Sequence, residues 1–169
     1  MWLNMLTGIQ TEKLFHLLML ELGKKLTEPT KDQDIFEHWD RKVNGLTHDV
    51  KGEKCVNRHD SLPNNDLVLL EYKNVRGNTG WLKGKESKLV FMFGDVFEVY
   101  DRRKLASFAD NNVDFAESDT PIVKGKLARE KVWYRRPGKK DLFIYFPRQS
   151  IAHLVEKVYQ IPCNLKKKV

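Results

Sequence analysis

Cysteine is almost missing from this chain. Cys55 and Cys163 are the two it holds, too few for a disulfide framework or a thiolate zinc set. Cys55 with His59 is half a ligand cluster at best, and no second half follows. Long apolar runs are missing too. The stretch Leu14–Leu22 is broken by His16 and Glu21, far short of the ~20 apolar residues that span a bilayer. The opening Met1-Trp2-Leu3 has no basic segment and no cleavage site, so no secretory signal is expected. Internal repeats and low-complexity segments are absent. The expectation is a soluble, cytoplasmic protein with no membrane association, including the setting of a phage-infected bacterial cell. Negative charge is in deficit: 23 Asp and Glu against 30 Lys and Arg, a net charge of +7. That balance favours a polyanionic partner.

What is present suits one folded domain over residues 1–169. The hydrophobic fraction of 41% is ordinary, and the length supports a core without staples. Residues 11–25 carry Leu14, Phe15, Leu18 and Leu22 at helical spacing, with Thr11 as the expected N-cap. Glu12 would then sit in the first turn, where the helix dipole favours an acid. A polar loop is expected at 27–34. Asn44-Gly45 between two extended runs predicts a two-residue hairpin, with strands near 35–43 and 46–56. Asp66–Val75 reads as a third strand, and Lys88–Phe93 with Val96–Tyr100 as a second hairpin around Gly94-Asp95. A short helix follows at Arg102–Ala109, then an acidic loop at 110–120. Strands near 131–135 and at Asp141–Phe146, a closing helix at Gln149–Tyr159 and a basic tail at 164–169 complete the chain. This order predicts an α/β or α+β fold with a mixed central β-sheet and flanking helices.

The hairpin register pairs Val43 with Leu46, Lys42 with Thr47, Arg41 with His48 and Asp40 with Asp49. Two carboxylates then oppose each other, and Lys51 shares the face of Asp49. Acids and a lysine on one face suit divalent-metal phosphodiester chemistry, which needs hard oxygen ligands, a source of hydroxide and a cation near the phosphate. Two residue sets could supply this. One is Asp40, Asp49 and Lys51, from the hairpin alone; it also reads as a solvated face. The other is Asp49, Glu71 and Lys73. Glu71 interrupts the apolar run Leu67-Val68-Leu69-Leu70, where an unpaired carboxylate is costly. If strands 46–56 and 66–75 pair antiparallel, Asp49 falls near Lys73 and within reach of Glu71. The second set is favoured on these grounds.

At these residues the chain resembles the PD-(D/E)XK nucleases. Asp49 matches the first acid, with His48 where the motif usually has proline, and Glu71-Tyr72-Lys73 matches the acid-x-Lys tripeptide. Asp49-Val50-Lys51 is also acid-x-Lys, with Asp40 as its first acid, but one strand earlier. Gly8-Ile9-Gln10-Thr11-Glu12 resembles the helical glutamate that many members carry, including the archaeal-type Holliday-junction resolvases. The resemblance covers roughly residues 8–110. It implies a restriction-endonuclease-like core and a Mg²⁺-dependent DNA endonuclease, with Mn²⁺ able to substitute. Asp49, Glu71 and Glu12 would bind the metal, and Lys73 would stabilise charge at the phosphate. Such an enzyme would be site-specific, as homing and restriction enzymes are, or structure-specific, as resolvases are. It would act as a homodimer or higher oligomer to cut two strands. Basic patches would hold DNA: Lys83 and Lys85, then Arg135, Arg136, Lys139 and Lys140. A non-catalytic nucleic-acid-binding protein on the same scaffold is the alternative.

Overall fold

The computed structural model describes residues 6–37, 39–55, 62–118, 122–123, 126–127 and 131–169; His59 lies outside them. In chain order the elements are α1 (Gly8–Glu21), β1 (Leu26–Thr27), α2 (Lys31–Glu37), β2 (Arg41–Val43), β3 (Leu46–Lys51) and β4 (Leu67–Lys73). A 3₁₀ turn at Trp81–Lys83 leads to β5 (Lys88–Phe93), β6 (Val96–Asp101), α3 (Arg102–Asn112) and β7 (Asp114–Ser118). Then come β8 (Ile122–Val123), β9 (Lys126–Leu127), β10 (Val132–Tyr134), β11 (Leu142–Pro147), α4 (Arg148–Ile151), β12 (Val155–Gln160) and α5 (Cys163–Lys166). The chain, read from sequence as one domain, forms two compact units from interleaved segments. The first takes residues 1–53, 85–102 and 155–169; the second takes 54–84 and 103–154.

The first unit is built on a six-stranded sheet in the order β1-β2-β3-β5-β6-β12. β3 and β5 run parallel, and the other neighbours are antiparallel, so the sheet is mixed. Period-2 alternation sets its core. Val50, Val90, Met92, Phe97 and Val99 point to one face, where Leu14, Phe15, Leu18 and Met19 of α1 and Leu165 of α5 cover them. Each large side chain buried there stabilises the fold by about 1.5–3 kcal/mol before chain entropy is charged against it. β5 is buried along most of its length, which is why Leu89-Val90-Phe91-Met92-Phe93 is a continuous apolar run rather than an alternating one.

The second unit holds a four-stranded sheet, β4-β11-β10-β7. β11 pairs antiparallel with both β4 and β10, and β10 pairs parallel with β7. Val132, Tyr134, Phe143 and Tyr145 form an aromatic-rich cluster against Leu67 and Leu69. The expected fold class, mixed α and β with a mixed central sheet and flanking helices, is what the chain forms.

The hairpin register is as the Asn-Gly rule requires: Arg41 opposite His48, Lys42 opposite Thr47, Val43 opposite Leu46. Asn44 and Gly45 both take positive φ, 47° and 88°, the pair of conformations that a type I′ turn needs. Other expectations are corrected. β3 does not pair with the 66–75 strand; its neighbours are β2 and β5, and β4 belongs to the other sheet. α1 begins at Gly8 and not near Thr11, because Thr7 and Gln10 form a reciprocal capping box and the Thr11 hydroxyl donates back to Thr7 O at 3.0 Å. The polar stretch before the hairpin is partly helical, since Thr30 and Gln33 exchange the same capping hydrogen bonds at the start of α2. The closing helix stops at Ile151, apart from a 3₁₀ turn at Ala152–Leu154, and Val155–Gln160 is an edge strand on β6. Val155, Val158 and Tyr159 favour extended backbone, and pairing with β6 decides the matter. Part of the expected acidic loop, Asp114–Ser118, is strand β7. Among the described residues, no helix is long and apolar enough to cross a membrane.

Candidate active site

The side chains that come together belong to the hairpin and to α1, all within the first unit. Asp49 sits mid-strand in β3 on the face opposite Val50, and it is 2% exposed. Its Oδ1 accepts from Lys51 Nζ at 2.7 Å. The two side chains meet because residues two apart on a strand share a face. Asp49 Oδ2 is buried and has no hydrogen-bond partner. Asp40 stands across from it at the head of β2. Its backbone N–H donates to His48 O at 2.9 Å, and its Oδ2 accepts from Val50 N–H at 2.6 Å. The strand pairing ends at Arg41 and His48; beyond it, these two bonds hold Asp40 beside β3, where its carboxyl interacts directly with Asp49.

Glu12 approaches from the second turn of α1. With the helix starting at Gly8, Glu12 is outside the first turn, and the dipole no longer accounts for an acid at that position. The approach depends on Gly52. A Cβ there would stand 2.9 Å from Thr11 Oγ1, so the bare backbone after β3 lets α1 lie close. Glu12 feels the charges of Asp40, Arg41 and Lys51. Arg41 is held in turn, its Nε donating to His16 Nδ1 at 3.0 Å. Glu86, just ahead of β5, is the fourth acid in electrostatic reach of Lys51. Nothing in the sequence marked it: between Lys85 and Lys88 it reads as an exposed polar residue.

The electrostatics follow from burial. Asp40 is pushed up to about 7, first by burial and then by the charge of Asp49; the Val50 N–H and Lys51 oppose the shift. Burial raises Asp49 as well, against Lys51. Burial raises Glu12, and Asp40 adds to it. Several carboxyls are thus reluctant to ionise together, with one ammonium among them. Such a group resists losing its protons unless further positive charge arrives. His48 lies on the α1 side of the sheet, its ring centroid 6.0 Å from that of Phe15. Burial lowers its pKa, so it is a core histidine held by Leu46 O at 2.8 Å.

The residues favoured from sequence divide. Asp49 and Glu12 lie in the same unit, and both feel the charges of Asp40 and Lys51. Glu71 and Lys73 lie on β4, in the second sheet, where Glu71 pairs with Phe143 and Lys73 with Leu142. The pairing that would have set them beside Asp49 is not formed. Asp40 and Lys51, read as a solvated face, are instead drawn inward; the Lys51 side chain is 25% exposed. Of the expected DNA contacts, Lys83 is ion-paired with Asp110 and lies over the Tyr72 ring, and Arg136 is ion-paired with the buried Asp141. Arg135 is half-buried, with Nη1 at 3.5 Å from Lys140 O. Lys85, Lys139 and Lys140 are exposed.

A cation fits the hairpin acids on one count and lacks something on another. Asp49 Oδ2 meets no N–H donor, and the carboxyl beside it, Asp40, is held by the Val50 N–H and interacts with Asp49 directly. Among the described residues, however, no three His, Cys, Asp or Glu side chains converge tightly enough to hold a metal ion alone. Mg²⁺ does not require three, since it binds through one or two carboxylates and keeps several waters.

No protein-family profile matches the sequence, and no curated protein sequence matches it. Among solved structures, the chain is similar to the bacterial homing endonuclease I-Ssp6803I, at 14% identity over 59% of this chain and 70% of that one, with a TM-score of 0.42.

Proposed function

We propose that this protein is a Mg²⁺-dependent DNA endonuclease whose site is Asp40, Asp49 and Lys51, with Glu12 completing it from α1. The observation that carries the reading is Asp49: fully buried, one oxygen on Lys51 Nζ, the other unpartnered and beside a second carboxyl. Asp40 and Asp49 would hold the ion, and Mn²⁺ would serve in place of Mg²⁺. When bound, the ion supplies a polarised phosphate oxygen and a water more easily deprotonated than bulk water. Lys51, an ammonium with three donors, can meet a phosphate oxygen while it holds Asp49, and so offset the charge that develops there. Glu12 adds an acceptor on the helix side of the same group, where it can orient a water.

The substrate side rests on charge. A net charge of +7 with exposed Lys139 and Lys140 favours a polyanion. Arg136 and Asp141 brace the base of that loop, and Gly138 at φ 69° turns it. A duplex has two strands to cut and one such site cuts one, so a homodimer or higher oligomer accompanies the proposal. The same positive charge would serve the alternative, a nucleic-acid-binding protein without catalysis.

The deciding experiment incubates the protein with supercoiled plasmid and with a branched four-way junction, in Mg²⁺ and in EDTA. Cutting of either substrate in Mg²⁺, absent in EDTA and in Asp49→Asn, is the expected result. Salt-sensitive retention of both DNAs with no cutting would replace the nuclease with the binding protein.

A further inference from the structure

In the second unit, two loops meet where β4 ends and β11 begins, Lys73 standing opposite Leu142. Residues 74–80 and 135–140 carry Arg76, Arg135, Arg136, Lys139 and Lys140 and no Asp or Glu. Arg136 is taken up by Asp141, and Arg135 Nη1 lies 3.5 Å from Lys140 O. Arg76, Lys139 and Lys140 are exposed, and among the described residues they have no ion-pair partner. By contrast, Lys83 is matched by Asp110, Lys88 by Asp101 and Glu156, and Lys166 by Asp95.

Hydrogen bonds fix the shape of both loops. Asn74 Oδ1 accepts from the N–H groups of Arg76 at 3.0 Å and Asn78 at 3.1 Å. The Gly77 N–H donates to Asn74 O at 2.8 Å, and the Asn74 N–H to Asn78 O at 2.9 Å. In the second loop the Lys139 N–H donates to Arg136 O at 3.0 Å around Pro137-Gly138, with Gly138 at φ 69°, the pattern of a type II turn. The loops also touch. The Lys140 N–H donates to Val75 O at 3.4 Å. A Cβ on Gly77 would stand 3.2 Å from both Cβ and Cδ of Lys140, so the bare backbone lets the lysine stem lie against it. Arg76, between Val75 and Gly77, is thereby held beside Lys140. Cations fixed side by side with no acid in either loop repel one another, and an anion that meets them together is favoured.

We propose that the two loops form a single phosphate-binding tip, in which Arg76 joins Lys139 and Lys140 on the backbone of duplex DNA. A duplex offers several phosphates in a row, which three neighbouring cations can meet at once. The guanidinium of Arg76 suits two phosphate oxygens, and the lysines meet theirs as point charges. Loops already held in shape lose little freedom when the partner arrives. Such contacts position the protein and carry no base sequence. The inference rests on the reading of the partner as DNA, and its test is kept separate from cutting.

The test is filter binding of two unbranched duplexes of unrelated sequence to the full-length protein, in EDTA and across salt concentrations. Wild type is compared with Arg76→Ala, Arg76→Lys and the double variant Lys139→Ala with Lys140→Ala, with circular dichroism confirming the fold of each. Raising the salt from about 50 to about 200 mM weakens binding by a factor that should shrink about threefold in Arg76→Ala and about tenfold in the double variant. The change should be the same on both duplexes, and Arg76→Lys should keep the wild-type salt dependence. Unchanged affinity and salt dependence in Arg76→Ala would remove the first loop from the interface. A loss confined to one duplex would overturn the phosphate contact. No retention by wild type would overturn the tip altogether, whereas plasmid cutting in Mg²⁺, measured separately, tests the nuclease reading on its own.

Discussion

Asp40→Asn isolates what the two-acid arrangement costs the metal-free protein. The Asp40 carboxyl rises from an ordinary 3.8 to about 7, chiefly by burial and by facing Asp49. A folded pKa above the unfolded one contributes stability that is fully present below about pH 4 and lost as pH rises through about 7. At about 1.4 kcal/mol per unit, the rise amounts to ~4 kcal/mol, an upper bound reached at about pH 8. Asparagine keeps an acceptor for the Val50 N–H and carries no charge. Relative to wild type, the variant should be near-neutral at about pH 4 and more stable at about pH 8, by up to ~4 kcal/mol. The assay is urea unfolding of both proteins in EDTA at the two pH values. Adding Mg²⁺ should narrow the gap at the higher pH, because ligand binding stabilises the wild type alone. A destabilisation of equal size at both pH values would refute the reasoning, since it would mean that Asp40 acts as a fixed hydrogen-bond acceptor and not as a strained acid.

Other consequences are more local. Gly45→Ala places a Cβ at φ 88° in the hairpin turn and should lower stability by about 1 kcal/mol, read as a lower urea midpoint with unchanged slope. Arg136→Ala leaves Asp141, 1% exposed, without its guanidinium. A loss of ~1–3 kcal/mol is expected, reduced from the fully buried case because the Arg136 side chain is 43% exposed. Lys139→Ala with Lys140→Ala should weaken DNA retention without sequence preference. The salt dependence should flatten by about one unit for each phosphate that is no longer neutralised, measured by filter binding across salt concentrations.

Local chemistry made the hairpin readable. Asn44-Gly45 favours a type I′ turn, the turn fixes the register from Val43–Leu46 to Arg41–His48, and Asp40 follows next to it, beside Asp49. The same locality exposed α1 through its apolar spacing, although not its start, because the Thr7–Gln10 capping box lies upstream of the periodic residues. The neighbour of β3 was not readable. β4 follows β3 in sequence, is apolar, and carries an acid-x-Lys of its own, so nearness along the chain favoured an antiparallel pair. The structure instead joins β3 to β5 by a parallel pairing across a long crossover, and β4 finds its partner in β11. Pairings of that range leave no periodic trace. Glu86 was hidden for a related reason: its burial comes from Thr47 and Arg102, both distant in sequence.

The choice of lysine is the sharpest point of decision, because Lys51 and Lys73 stand on strands of different sheets. Cleavage of supercoiled plasmid and of a four-way junction in Mg²⁺ should be lost in Lys51→Ala and kept in Lys73→Ala. Survival of cutting in Lys51→Ala together with its loss in Lys73→Ala would contradict the assignment and return the site to β4.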